Sequence, residues 1–341
     1  MKLSEFDYTL PKGLVAQYPR EKRDSCRLMV LDRRTKTISH KAFRDIVEYF
    51  NEGDCLVLND TKVIPARLFG KRKTGGRAEI FLLEKKNPAC EALVRPAARL
   101  KKGEMIELES GDLVEILDRG DIGRIVKFNR PIDDILNDAG HIPLPPYIAR
   151  QDEASDRIDY QTIYAKSGGA TAAPTAGLHF TKELLDKVEG KGVRIAYVTL
   201  HTSYGTFAPI KEEDVELHKM HKEYFELSKE TAEMVGETKK IGGRVFATGT
   251  TTTRVLEHCA ARGSGFCTLV SAFSGHTDLF IYPPYEFKTV DRLITNFHIP
   301  KSTLLLLVSA FAGKDFIVEA YKQAIEGRYR FYSYGDAMLI I

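Results

Sequence analysis

The 341-residue chain has no tryptophan and no long apolar run. Its most hydrophobic stretch, Ser302 to Gly313, falls well short of the roughly 20 residues a membrane span needs, and predicts a buried helix instead. The N-terminus, with Lys2, Glu5 and Asp7, has no apolar signal core. The five cysteines, at 26, 55, 90, 259 and 267, form no CxxC pair. An odd, scattered set argues against a disulfide framework and a cysteine zinc site, and fits reduced thiols packed as small hydrophobes. A soluble, cytoplasmic protein is the expectation. Common ligand signatures are missing too: no GxxxxGK, no GxGxxG, no GxSxG and no HExxH. Their absence argues against a P-loop, an ordinary dinucleotide fold, a glycine-loop methyltransferase, a nucleophile elbow and a zincin.

What is present is globular. The hydrophobic set is 43% and charged residues are 28%, which excludes a disordered or fibrous chain. The length suggests two domains. The net charge of +3 excludes a histone-like polycation, but residues 1–110 carry +7 and residues 111–341 carry −4. The basic clusters are Arg20, Lys22, Arg23, Arg27; Arg33, Arg34, Lys36; Arg67, Lys71, Arg72, Lys73, Arg77; and Arg95, Arg99, Lys101, Lys102. Any one cluster reads equally as a solvated face. Four in one region point to a polyanionic partner.

The opening is α/β in character. Phe43, Ile46, Val47 and Phe50 have helical spacing that ends at Gly53, and Cys55–Leu58 reads as a buried strand entering the polar turn 59–62. From about 65 to 130, short segments recur every eight to twelve residues between glycines: Ala78–Leu83, Ala92–Arg95, Met105–Leu108, Leu113–Leu117 and Arg124–Phe128. That pattern predicts a small antiparallel barrel or sandwich. The Pro-rich stretch 142–146 reads as a rigid linker. Beyond 150, strands and helices alternate. Strands are predicted at Val193–Leu200, Tyr224–Leu227, Arg244–Thr248, Leu279–Tyr282 and Ala337–Ile341. Thr181, Ser228, Ser302 and Asp315 are placed to cap helices. The architecture expected is a discontinuous α/β domain, residues 1–63 and 148–341, with a small antiparallel β-barrel inserted at 64–147.

Five segments carry candidate chemistry. Ala172-Ala173-Pro174-Thr175-Ala176-Gly177-Leu178-His179-Phe180-Thr181 runs small residues into a helix start, either a tight turn or an anion-binding loop. His201 to Phe207 follows a strand, where open α/β sheets bind ligands. His218 and His221, at i and i+3, share a face if helical; with His201 and Glu223 they would make a metal site, or serve proton transfer. Thr248-Gly249-Thr250-Thr251-Thr252-Thr253-Arg254 offers hydroxyls, backbone N–H groups and a guanidinium at a strand end. Asp278, Asn296 and His298 are polar groups in apolar surroundings, with Tyr282, Tyr285 and Phe297 as base-stacking or core residues.

Together these strings resemble one family. AAPTAGLHFT (172–181), HKMHKEYFEL (218–227), TGTTTTRVLE (248–257), TDLFIYPPYEF (277–287), TNFHIPKSTLLLLVSAFAG (295–313), FYSYGDAMLI (331–340) and LVLNDTKVIPARLFG (56–70) look like the S-adenosylmethionine:tRNA ribosyltransferase-isomerases of queuosine biosynthesis. The resemblance implies transfer and isomerisation of the ribosyl group of S-adenosylmethionine onto 7-aminomethyl-7-deazaguanine, held at the wobble position of tRNAs with GUN anticodons. Epoxyqueuosine-tRNA, adenine and methionine would be the products. It also implies an α/β domain with an inserted barrel, S-adenosylmethionine as co-substrate and no metal; a monomer is expected. On motif position, His179, His221 and His298 are candidates for proton transfer, with Glu223 orienting a histidine or binding ribose. Thr250, Thr251 and Arg254 would hold the methionine end. Asp278 and Asn296 would read adenine or the deazaguanine amine, and Tyr282 and Phe297 would stack. The rival classes are a metal-dependent hydrolase built on His201, His218 and His221, and a non-catalytic tRNA-binding protein.

Overall fold

The structure, a computed structural model, describes residues 1–83, 89–202, 210–262 and 273–341. Strands β1 (Arg27–Asp32), β2 (Thr37–Ala42), β3 (Cys55–Asn59) and β4 (Thr61–Val63) come first. Six strands follow in succession: β5 (Arg67–Arg72), β6 (Arg77–Leu82), β7 (Ala89–Arg95), β8 (Met105–Leu108), β9 (Leu113–Arg119) and β10 (Arg124–Phe128). The remainder are β11 (Ser167–Ala170), β12 (Arg194–Leu200), β13 (Glu223–Leu227), β14 (Val245–Thr248), β15 (Phe273–Thr277), β16 (Arg292–Asn296) and β17 (Ala337–Ile340).

Nine of these form one mixed sheet in the order β15-β13-β12-β3-β14-β16-β17-β1-β2, and β5 to β10 close into an antiparallel barrel. The fold is therefore α/β with a small β-barrel contributed by one continuous stretch. The central strands β12, β3, β14 and β16 are mutually parallel, with β13 and β17 antiparallel beside them. Strands buried on both faces should be apolar through their middles, and β3 over 55–58, β14 over 245–247 and β17 throughout are. Cys55 and Val57 of β3 face one core layer while Leu56 and Leu58 face the other, and β1, β14 and β17 alternate in the same way. Helices α4 (Lys229–Lys240), α5 (Gly249–Arg262), α6 (Thr303–Ala312) and α7 (Lys314–Glu326) cover the first face. Helix α3 (Lys182–Glu189) and the 3-10 helix Phe43–Tyr49 cover the second. Two short helices, α1 (Ile132–Ala139) and α2 (Asp156–Asp159), follow the barrel strands. Each fully buried Leu or Phe in these layers contributes about 1.5–3 kcal/mol.

The cap residues Thr181, Ser228 and Ser302 each accept the N–H three residues on, from Leu184, Thr231 and Leu305, worth about 1 kcal/mol apiece. Asp315 does not cap. It lies in the first turn of a helix whose cap is Gly313 at φ 94, a conformation that favours glycine. The segment 142–146 is not a spacer. His141 pairs with Arg67 of the barrel, and Ile142 and Leu144 pack into a core with Val63, Tyr160 and Ala173. Apolar residues between prolines found a surface to bury. Leu279–Tyr282 is not a strand. Its backbone is engaged by side chains, Leu279 N–H by Thr277 Oγ1 and Leu279 C=O by Arg254 Nε, and Pro283 and Pro284 have no N–H to continue a ladder. Residues 218–222 are not helical, so His218 and His221 share no helix face. Among the described residues, no helix is long and apolar enough to cross a membrane. The described cysteines, 26, 55, 90 and 259, are free and buried, and Cys267 lies outside the described residues.

Candidate functional site

Parallel strands collect their carboxyl ends, and here Asn59, Leu200, Thr248 and Asn296 end β3, β12, β14 and β16 at one edge of the sheet. Antiparallel β13 and β17 bring their amino ends, Glu223 and Ala337, to the same edge. Ligands of open α/β sheets sit outside this edge. A cleft open to solvent lies there. Its walls come from the Ala172–Ala176 loop, Gly249 to Thr251, Thr295 to Ile299, Tyr147 and Tyr332.

Buried Asn59 fastens the floor. Its amide oxygen accepts from the N–H groups of Thr61 and Leu200, and its Nδ2 donates to Leu200 O and Thr251 Oγ1. That fixes β12 and the first turn of α5 against β3. Gly249, at φ 87, turns the chain from β14 into α5, so the helix N-terminus and Thr250 and Thr251 face the cleft. Unpaired N–H groups at such an end favour an anion. Gly177 lets the opposite loop fold down, since a Cβ there would stand 2.1 Å from the Tyr164 hydroxyl.

Three histidines sit near the edge, in different environments. His298 lines the cleft, with Nε2 2.8 Å from Thr295 Oγ1. Its peptide is clamped: the N–H donates to Tyr321 Oη at 2.8 Å, and Tyr8 Oη donates to the carbonyl. Burial pulls its pKa down to about 3, so the ring is neutral at pH 7. Nδ1 has no partner among the described residues.

His179 stands behind the cleft wall. Nε2 lies 3.2 Å from Asn296 Oδ1, and Nδ1 lies 3.2 Å from Cys26 Sγ. The amide Nδ2 of Asn296 already donates to the carbonyls of Tyr332 and Ser333, so its Oδ1 must accept. His179 therefore carries its proton on Nε2, and Nδ1 accepts from the Cys26 thiol. Burial lowers the His179 pKa to about 4 and raises that of Cys26. His179 bonds Asn296 from behind the wall, and Asn296 spends both amide N–H groups on backbone carbonyls, so it has no donor left for a base. His201 is wedged against Gly169, bonds Thr61 Oγ1 through Nδ1 at 2.8 Å, and is lowered by burial.

Other expected residues are not gathered here. His221 is exposed on the segment leading into β13. Asp278 is exposed just past β15, and Tyr282 packs on Phe280 outside the cleft. Phe297 belongs to the cleft wall, but it is 0% exposed and its ring is enclosed by Tyr321, Tyr329 and Phe331, so it offers no face for stacking. Glu223 and Arg254 form a buried ion pair one turn of α5 beyond Thr250, and Arg254 Nε donates to Leu279 O. Arg254 Nη2 has no partner among the described residues. Ser203 to Phe207 of the HTSYGTF string lie outside the described residues. Among those described, no three His, Cys, Asp or Glu side chains converge on a metal position. His218, which the rival hydrolase requires, faces Glu212.

The aromatic wall was missed. Tyr147 and Tyr332 pack at 4.7 Å, and Tyr147 Oη shares a 2.6 Å hydrogen bond with Ser333. Tyr147 sits just past the 142–146 stretch read as a linker, and nothing local pairs it with a residue so distant in sequence.

An α/β ligand-binding site at the carboxyl edge of a parallel core, without a metal cluster among the described residues, is thus the class that fold and geometry define. Comparison narrows it. The family model described as "Queuosine biosynthesis protein" matches residues 3–340, and the chain belongs to that family. It is 55% identical, over the full length of both chains, to the S-adenosylmethionine:tRNA ribosyltransferase-isomerase of Sulfurihydrogenibium sp. (strain YO3AOP1). It is 54% identical, again over the full length of both, to that of Thermosipho africanus. The crystal structure of S-adenosylmethionine tRNA ribosyltransferase from Thermotoga maritima shares 42% identity, covers 99% of this chain and 100% of its own, and superposes with a TM-score of 0.57.

Proposed function

We propose that the chain transfers and isomerises the ribosyl group of S-adenosylmethionine onto 7-aminomethyl-7-deazaguanine in tRNA, releasing adenine and methionine. The full-length family match carries this reading, and the cleft is suited to it. The N-terminus of α5, with Thr250 and Thr251, offers the methionine carboxylate a positive dipole end. Tyr147, Tyr332 and Pro174 offer adenine an apolar, aromatic slot.

The sulfonium acidifies the ribose C5′–H, so a base must start the isomerisation, and the departing adenine needs a proton. His298 suits both steps. With Nε2–H held by the Thr295 hydroxyl, Nδ1 takes the C5′ proton, and the imidazolium so formed hands that same proton to the departing adenine and returns to the neutral ring. A site that disfavours the imidazolium passes its proton on. The buried Glu223–Arg254 pair is taken to stiffen the α5 end of the site rather than to touch the reacting atoms. His221 and Asp278 have no role in this scheme. Tyr147 and Tyr332 take over the stacking assigned to Tyr282 and Phe297.

The RNA partner would be tRNA with a GUN anticodon, met by a monomer in the cytoplasm. The inserted unit, 64–147 in our division, supplies basic side chains. Arg72 pairs with Glu104, Arg67 and Arg95 with Glu79, and Arg124 with backbone carbonyls, so these are structural. Lys71, Lys73 and Arg77, on the β5–β6 hairpin, are exposed and have no ion pair among the described residues. Reversing all three to Glu should raise KM for tRNA on the order of tenfold and flatten its salt dependence, with KM for S-adenosylmethionine unchanged. An unchanged tRNA KM would remove the hairpin from the binding surface.

The test of the whole reading is turnover with tRNA bearing the aminomethyl base, following adenine, methionine and S-adenosylhomocysteine together. Adenine and methionine released in step, only with modified tRNA, is the expected result. S-adenosylhomocysteine would instead make the protein a methyltransferase.

A further inference from the structure

His298 stands outside regular structure. Strand β16 ends at Asn296 and α6 begins at Thr303, so no strand or helix bond holds the His298 peptide. Its ring is tied at one point, Nε2 to Thr295 Oγ1. A ring with a single tie moves whenever its backbone moves. Backbone polar groups buried away from water need partners, and here two phenols supply both. Tyr321 Oη accepts from the N–H at 2.8 Å, and Tyr8 Oη donates to the C=O. Burial raises the pKa of both hydroxyls, so each stays protonated at neutral pH. The two rings pack edge to face, with centroids 5.1 Å apart.

The two phenols come from segments far apart in the chain. Tyr321 belongs to α7 and is buried in the core. Tyr8 lies just past the 3-10 helix Leu3–Phe6, whose Leu3 and Phe6 are buried in the same core layer. This N-terminal strap grips the loop that carries His298 at two further points. Lys301 N–H donates to Phe6 O at 3.0 Å, and Lys301 Nζ pairs with Asp7 at 2.6 Å. The ion pair is half exposed and adds little energy; the buried contacts are what fix position. Lys301 itself is held at φ 55, a conformation that a residue with a side chain keeps only where its surroundings impose it.

We propose that Tyr8 and Tyr321 are positioning residues for the proton transfer. By holding both polar groups of the His298 peptide, they set where Nδ1 stands in the cleft. Neither tyrosine lines the cleft, so both act through His298 and not on the substrate. The inference rests on the reading of His298 as the proton-transfer group and adds what aims it. A misplacement of about 1 Å at a reacting group costs on the order of 10²-fold in rate, so a clamp behind the site can matter as much as a contact within it. The Tyr8 hydroxyl also interacts with that of Tyr332 on the aromatic wall. A loss felt there would appear in S-adenosylmethionine binding instead of in the rate.

The experiment is a double-mutant cycle on Tyr8→Phe and His298→Gln. Its readout is the single-turnover rate of adenine release on an anticodon stem-loop carrying the aminomethyl-deazaguanine. Phenylalanine keeps the ring packing and removes only the hydroxyl. Tyr8→Phe should slow release roughly tenfold to a hundredfold, while the S-adenosylmethionine Kd, the stem-loop KM and the melting temperature hold. In the His298→Gln background the same change should cost no more than about twofold, because the group it aims is gone. Equal losses in both backgrounds would overturn the proposal, as would a Tyr8→Phe rate within about twofold of wild type. A weakened S-adenosylmethionine Kd with an unchanged rate would place Tyr8 in the aromatic wall through Tyr332, and would overturn it too. Tyr321→Phe releases the other side of the peptide and should repeat the pattern, which keeps the cycle decisive if Tyr8→Phe melts early. A full rate with Tyr321→Phe would remove Tyr321 from the clamp. His298→Gln at the wild-type rate defeats the role of His298 itself, and a wild type that releases no adenine defeats the ribosyl-transfer reading, so these failures are distinguishable from that of the clamp.

Discussion

Replacing His298 with Gln should slow adenine release roughly 10²- to 10⁴-fold, the range that general acid–base groups contribute. Glutamine reaches about as far as imidazole and can keep the bond to Thr295 Oγ1, so the wall of the cleft stays in place. It cannot take or give a proton at pH 7. The S-adenosylmethionine Kd, measured by calorimetry, should change only a fewfold, and KM for tRNA should be unaffected. Because burial holds the His298 pKa at about 3, the ring stays neutral throughout pH 5–8, and its ionisation should leave no inflection in the rate profile there. His221→Ala, at an exposed position outside the cleft, should behave as wild type. Adenine release by His298→Gln within a fewfold of wild type would remove His298 from proton transfer.

The second large effect is on stability in acid. In the unfolded chain His179 and His298 bind a proton below about pH 6.5. In the folded chain they resist protonation down to about 4 and about 3. Below 6.5 the unfolded state therefore binds more protons, and stability must fall as pH falls. Each imidazole costs about 1.4 kcal/mol per pH unit while it remains neutral in the fold. Between pH 6.5 and 4.5 that is about 3 kcal/mol for each, against a total stability of about 5–15 kcal/mol. Above 6.5 their contribution is constant. Carboxylates add an acid dependence of their own, so the informative quantity is a difference. Urea unfolding at pH 7.0, 5.5 and 4.5 should show His298→Gln losing less stability than wild type by one imidazole's share. Parallel curves would mean that the His298 ring takes up protons as freely in the fold as outside it.

Much of this architecture was legible because local signals agreed with the global fold. The caps Thr181, Ser228 and Ser302, the glycine-punctuated barrel strands and the apolar runs of β3 and β14 each read correctly on their own. Strand β5 did not, because Arg67, Lys71 and Arg72 made it look like a charge cluster, although Leu68 and Gly70 face the barrel interior. Thr250, Thr251 and His298, each carried by a single loop, do line the cleft. The site was illegible where packing decides which neighbour faces inward. Phe297 and His298 are adjacent in sequence and both in the cleft wall, yet the Phe297 ring is packed among aromatic side chains while His298 keeps a ring nitrogen without a partner among the described residues. His179 looked catalytic by its position at a helix start, and only the bonds of Asn296 show that its ring supports the wall from behind.

The placement of β17 bears on when the protein can work. The barrel strands are near neighbours in sequence, so that unit can form while the rest of the chain is still being made. The large sheet cannot. Strand β1 waits about three hundred residues for its parallel partner, Ala337–Ile340, which also closes the gap to β16. Tyr332 and Ser333, which wall the cleft, arrive only just before it. On the ribosome the basic β5–β6 hairpin can therefore form well before the cleft does, and the chain can meet a polyanion while its cleft is still unbuilt.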